Sequence, residues 1–207
     1  MELKTFSVDN TTIQVPKNFY TNIMKPTIDY TLATVLIIML LPLFLLISLL
    51  IVIDSEGPII FKQPRIGKNG VKFQIYKFRT MYANVPSQGR SPENNNDPRV
   101  TRVGKVLRKT SLDELPQLFN IIKGDMSFVG PRPEQESIVN KYYSSYEMQR
   151  FLVKPGITGL WQISKDRTKP IHENLKYDFE YIQKLSFYLD IKILFSTIRV
   201  IFKSNTF

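Results

Sequence analysis

Hydropathy along the chain changes sharply once. Residues 31–53, TLATVLIIMLLPLFLLISLLIVI, form a run of 23 positions without a charge, bounded by Asp29 and Asp54. A straight helix of that length rises about 34 Å, enough to cross the hydrocarbon of a bilayer, so the segment belongs in membrane. It is too long for a signal h-region, and no small-residue cleavage site follows it. Pro42, near its middle, removes one backbone hydrogen bond, a fault hydrocarbon tolerates only where the freed carbonyl finds another partner. A kinked span and a re-entrant hairpin would both accommodate it. Lys17 and Lys25 precede the run and Lys62, Arg65, Lys68 and Lys72 follow it. Because basic residues favour the cytoplasmic side, these flanks lean toward the hairpin, with both ends on one side.

The remaining elements are shorter. Ile59-Ile60-Phe61 and Phe73-Gln74-Ile75-Tyr76 are β-prone and flank the turn-rich Gly67-Lys68-Asn69-Gly70, which predicts a hairpin. Lys77 and Arg79 leave its second strand on one face, either to meet an anionic group or to protect a sheet edge. Residues 85–96 are rich in Pro, Ser, Gln, Gly and Asn and read as a flexible loop, with a lid as the functional alternative. Leu115, Leu118, Phe119 and Ile122 recur at i, i+3, i+4 and i+7, the apolar face of a short buried helix that Gly124 should end. A start near Asp113 places Pro116 among N–H groups that lack helical partners, so that start is preferred to one capped by Ser111. Residues 134–153 look helical and surface-lying. Residues 187–202 predict an amphipathic helix with Phe187, Ile191, Leu194, Phe195, Ile198 and Phe202 on one face, and Asp190, Lys192, Arg199 and Lys203 off it. The expected class is α+β, mostly helical. Three regions are expected: a polar, mobile or loosely docked extension over 1–24, a membrane-embedded helix over 25–54, and a catalytic domain over 55–207.

Composition narrows the chemistry. The 207 residues can bury one ordinary core, and the absence of cysteine excludes disulfides, thiolate metal sites and a cysteine nucleophile. The single His172 excludes any mechanism needing two histidines. Residues 54–110 carry twelve basic and four acidic groups, most of the net charge of +10. Such a field suits nucleic acid, anionic headgroups or a phosphorylated substrate.

Residues 97–133, DPRVTRVGKVLRKTSLDELPQLFNIIKGDMSFVGPRP, gather the candidate chemistry. Arg99, Arg102, Lys105 and Arg108 lie three apart, a cationic stripe on a helix that suits a diphosphate. Asp113 and Glu114 sit where a helix N-terminus would favour negative charge and hold both pKa values low. Two adjacent anions repel, and a divalent cation such as Mg²⁺, which normally binds one or two carboxylates plus substrate phosphates, would relieve them. A plain N-cap followed by a first-turn acid is the alternative. Pro131 and Pro133 stiffen the backbone around Arg132.

Four strings then carry a resemblance: YKFRTM (76–81), DPRVTRVGKVLRKTSLDELPQL (97–118), KGDMSFVGPRP (123–133) and KPGITGLWQ (154–162). In this order the chain resembles the bacterial sugar transferase family, the monotopic phosphoglycosyl transferases that start polyprenol-linked glycan assembly. The resemblance implies transfer of sugar-1-phosphate from a UDP-sugar to a polyprenol phosphate with release of UMP, at the cytoplasmic face of a bacterial inner membrane. It further implies a helix-break-helix dipping into one leaflet at Pro42, interfacial amphipathic helices, and Mg²⁺ held by Asp113 and Glu114. Asp113 would be the nucleophile and Glu114 its partner. Lys77, Arg79, Arg108, Pro131, Arg132 and Arg167 would form the phosphate site, with Trp161 against a nucleobase, in the interface or in the core. Lys25-Pro26, Leu41-Pro42 and Ser164-Lys165-Asp166-Arg167 depart from the family's common Lys-Arg, Ser-Pro and Asn-Gly-Arg strings. Nucleic acid is not an expected partner, and self-association stays open. A phosphohydrolase and a non-catalytic anion-binding membrane protein are the rival readings.

Overall fold

The computed structural model describes residues 12–85 and 97–203. Its longest element, α1 (Lys25–Asp54), follows directly on a π-helical turn, Tyr20–Met24, and continues through Pro42 without interruption. Helical residues thus run unbroken past the position of the expected break, with Pro42 inside the element. One lost hydrogen bond need not end a helix when long runs of Leu, Ile and Met continue on both sides.

A hairpin follows as expected: β1 (Ile60–Ile66) pairs antiparallel with β2 (Lys72–Phe78). Helix α2 (Arg102–Thr110) begins where the Thr101 hydroxyl accepts the Gly104 N–H, and it ends at Ser111, whose φ of 58° turns the chain aside. After one tight turn, Leu112–Glu114, α3 (Gln117–Ile122) starts beyond Pro116, and Gly124 at φ +81° ends it. Strand β3 (Ser127–Val129) then pairs parallel with β4 (Gly156–Thr158). Between them run α4 (Glu136–Tyr142) and a 3-10 stretch, Glu147–Leu152, so the expected helix over 134–153 is split. Short helix α5 (Leu160–Ile163), α6 (Lys176–Lys184) and α7 (Phe187–Lys203) complete the chain. The parallel pair has no counterpart in the sequence expectation, since three-residue strands are too short to show a period.

Helix α1 lies along the domain. Near its start, Lys25 Nζ donates to Asp190 Oδ2 at 2.7 Å and to the Val129 carbonyl at 3.0 Å, while Asp29 accepts the Phe128 N–H. At its other end Asp54 accepts the Val103 N–H at 3.0 Å. Between these clasps Ala33 packs with Leu118 and Ile121, and Phe44, Ile47 and Ile51 pack with Leu107 and Phe78. The opposite face carries Ile38, Met39, Leu45 and Ile53, each about 70 % exposed. This helix is long and apolar enough to cross a membrane.

Residues 12–24 are docked, in contrast to the expected loose extension, because Ile13 is buried with Tyr181, Ile182 and Ile193 and Val15 and Tyr20 pack on the same cluster; residues 1–11 lie outside the described residues. In α7 Phe187, Phe195 and Ile198 remain exposed, while Ile193 turns inward. Asp190, expected off the apolar face and available, is buried among Lys25, Tyr20 and Tyr181. The side chain of Phe202 and most of the 85–96 loop lie outside the described residues.

Candidate active site

Asp113 and Glu114 occupy the tight turn between α2 and α3. No helix starts at Asp113, because the left-handed Ser111 redirects the backbone and Pro116 takes the cap position of α3. Lys77 reaches this turn from β2, and its Nζ meets Glu114 Oε1 at 2.6 Å. Arg132 reaches the same oxygen at 3.4 Å from the turn after β3. Two features hold that turn. Gly130 and Gly156 touch backbone to backbone, where a Cβ on Gly156 would lie 2.1 Å from the Gly130 nitrogen. Arg150 donates to the Arg132 carbonyl at 2.8 Å and is itself buried against Asp178 at 2.7 Å. Arg150 and Asp178 escaped the sequence reading, since nothing local links positions so far apart in the chain.

The electrostatics of the two acids diverge. Burial would raise Glu114, but Lys77 and Arg132 outweigh it and bring its pKa down to about 2. Burial dominates at Asp113, and the neighbouring Glu114 charge adds to it against Lys77, Arg108 and Arg132, raising its pKa to about 6. The expectation of two strongly acidic carboxylates thus fails for Asp113. Arg108 stands on α2 within the field of Asp113 and Asp97, half-buried, its own pKa pulled down by desolvation. Arg99 precedes α2 and folds onto Asp97 at 2.6 Å, so the helical stripe is Arg102, Lys105 and Arg108.

Two expected phosphate ligands lie elsewhere. Arg79, which follows β2, is 5 % exposed and donates to the carbonyls of Ile51, Ser55 and Glu56 at the end of α1. The Ile51 carbonyl also accepts the Ser55 N–H, whereas those of Ser55 and Glu56 lie past this last helical hydrogen bond, and a guanidinium is well suited to them. Gly57, at φ +119°, leaves room for it, because a Cβ there would sit 2.2 Å from Arg79 Nη1. Arg167 makes no hydrogen bond or ion pair among the described residues and does not line the cavity beside Glu114. Pro131 is buried in the turn and its carbonyl accepts the Gly156 N–H at 2.9 Å.

That cavity holds about 160 Å³ and is walled by Lys77, Glu114, Gln117, Arg132, Glu134 and Trp161, with Arg65 beside them. Arg65 is a further cation that the sequence reading assigned only to the membrane flank. Burial and then Arg132 pull its pKa down to about 10, so it stays charged at neutral pH.

The described residues contain no cluster of three or more His, Cys, Asp or Glu side chains that could hold a metal. Asp113 and Glu114 still fit Mg²⁺ as a partial ligand set. Burial raises the Asp113 pKa although Lys77, Arg108 and Arg132 act against it; a cation at this carboxylate would lower it, and Mg²⁺ takes its remaining ligands from phosphates and water.

An acid pair framed by lysine and arginine, in a chain with one helix long and apolar enough to cross a membrane, defines a site suited to handling phosphate. The chain belongs to the bacterial sugar transferase family, whose pattern matches residues 20–204. It is 42% identical over 183 residues to the UDP-N-acetylgalactosamine-undecaprenyl-phosphate N-acetylgalactosaminephosphotransferase of Aeromonas hydrophila, covering 86% of this chain and 43% of that protein. It is 41% identical over 196 residues to the undecaprenyl-phosphate glucose phosphotransferase of Komagataeibacter xylinus, covering 88% and 37%. With the UDP-glucose:undecaprenyl-phosphate glucose-1-phosphate transferase of Escherichia coli (strain K12) the identity is 38% over 190 residues, covering 88% and 41%. The chain thus spans about two fifths of the length of these curated relatives.

Proposed function

We propose that this protein transfers sugar-1-phosphate from a UDP-sugar to a polyprenol phosphate, undecaprenyl phosphate in the named relatives, and releases UMP. The observation that carries this reading is the asymmetric acid pair: Lys77 and Arg132 compensate Glu114, and Asp113 beside it lacks a direct partner of that kind. Asp113 attacks the sugar-bearing phosphorus, the bond from that phosphorus to the UMP oxygen breaks, and UMP departs with the electron pair. An oxygen of the lipid phosphate then attacks the same phosphorus and displaces the Asp113 carboxylate. Glu114 fixes Lys77 and Arg132 toward the substrate phosphates, and the lipid phosphate attacks as its dianion. Arg108 offers positive charge on the other side of Asp113. Mg²⁺ held by Asp113 and Glu114 would neutralise diphosphate charge as a Lewis acid.

One substrate is soluble and the other is confined to a bilayer, which gives the membrane segment its purpose. We place α1 re-entrantly, bent at Pro42, with both ends and the catalytic residues at the cytoplasmic face of a bacterial inner membrane. Clasps at both ends of α1 support this, since a helix leaving the domain to span a bilayer would carry one end far from it. The exposed apolar face of α7 would lie in the headgroup plane.

A UMP-release assay over a panel of UDP-sugars, with and without undecaprenyl phosphate, tests the reaction. The transferase reading expects the lipid phosphate to accelerate release. Release that is indifferent to it indicates a phosphohydrolase, and no release with any donor indicates a non-catalytic anion-binding protein.

A further inference from the structure

We propose that the cavity beside Glu114 receives the sugar ring of the nucleotide sugar, an assignment that rests on the transferase reading above. Its volume of about 160 Å³ is close to that of a cavity of about 150 Å³ that binds benzene, and it opens to solvent, so a ring seated in it can stay joined to a diphosphate outside. Its wall alternates donors with acceptors: Arg65 stands beside Glu134 at 3.9 Å, and Gln117 and Gln135 contribute amides.

Sugar hydroxyls both donate and accept, and they match such a wall. Lys77 and Arg132, in the same wall, are the phosphate ligands proposed above, which leaves the Glu134 carboxylate and the Gln117 and Gln135 amides for the group that the phosphate carries. The order of the reaction points the same way. After Asp113 attacks, the sugar remains attached while UMP leaves, and a walled cavity suits the part that stays.

Trp161 is the only tryptophan in the chain, so its fluorescence reports on this cavity alone. The full chain in nanodiscs would be titrated with UDP-glucose, UDP-N-acetylgalactosamine, UDP and UMP, with excitation at the red edge of the indole band, where uridine does not absorb. At least one UDP-sugar should give a saturable change at least threefold larger than that from UDP or UMP, and Trp161→Phe should abolish the signal. Equal changes with UDP and UDP-sugar would place the base or phosphates in the cavity and overturn the assignment. So would UDP-sugar binding, seen by calorimetry, without any emission change. A sugar-dependent signal without UMP release would retain the pocket and remove the transferase reading. UMP release without a sugar-dependent signal would do the reverse, and the absence of both would remove both.

Discussion

Glu114 presents one oxygen to two cations, Lys77 at 2.6 Å and Arg132 at 3.4 Å, whereas Asp113, one residue earlier, lies in the same turn under the pull of burial. The first is held ionised near pKa 2 and the second is raised to about 6. The difference shows how one local sequence, Asp-Glu, yields two kinds of carboxylate. One orders the surrounding cations, and the other keeps the unsatisfied charge that a phosphorus atom or a metal ion can use.

Asparagine at position 113 would break this comparison most severely. Asp113→Asn should reduce UMP release on the order of 10⁴-fold, because the other carboxylate in the turn, Glu114, is tied to Lys77 and Arg132. Membrane association should persist, measured by sedimentation with vesicles. Glu114→Gln should cost roughly 10²-fold in turnover, since Lys77 and Arg132 lose their anchor while the nucleophile remains. If the two variants lose the same rate, the division of labour is wrong.

Arginine substitutions sharpen the contrast between site and scaffold. Arg132→Ala should lower turnover by about 10–100-fold with little change in thermal stability. Arg79→Ala should instead destabilise the fold by about 3 kcal/mol, by stranding carbonyls at the end of α1, and leave turnover per folded molecule close to normal. Thermal unfolding and active-site titration separate the outcomes.

The smallest effect is a shift along the pH axis. A nucleophile must be ionised, so the rate of UMP release should rise with pH through about 6 and level off above it. In Glu114→Gln the midpoint should fall, because the adjacent negative charge that raises Asp113 is gone. Saturating Mg²⁺ should move it the same way, as a nearby cation favours the carboxylate.

Local patterns disclosed much of this molecule and non-local pairing disclosed little. The apolar run and the Gly67-Lys68-Asn69-Gly70 turn name α1 and the hairpin directly, because each is a property of adjacent residues. That Lys77 and Arg132 converge on Glu114 depends on β2 and the turn after β3 meeting one loop, which no spacing records. Lys77 and Arg79 are two positions apart, yet one faces the acid pair and the other caps a helix, because the strand ends at Phe78. Asp113 was misjudged for a related reason: its pKa follows burial by distant elements, and a helix-terminus argument sees only its neighbours. Ile13 belongs to the core through contacts with α6 and α7, so a polar N-terminal stretch concealed its anchor.

Trapping the sugar phosphate on the protein tests the central claim most directly. The full chain is incubated with a UDP-sugar labelled in the sugar, without any polyprenol phosphate, then denatured, digested and analysed by mass spectrometry. The account predicts a burst of UMP approaching one equivalent and a sugar-phosphate adduct on the peptide bearing Asp113, sensitive to hydroxylamine and discharged by added undecaprenyl phosphate. UMP release that occurs only when the lipid phosphate is present, with no adduct on that peptide, would contradict it.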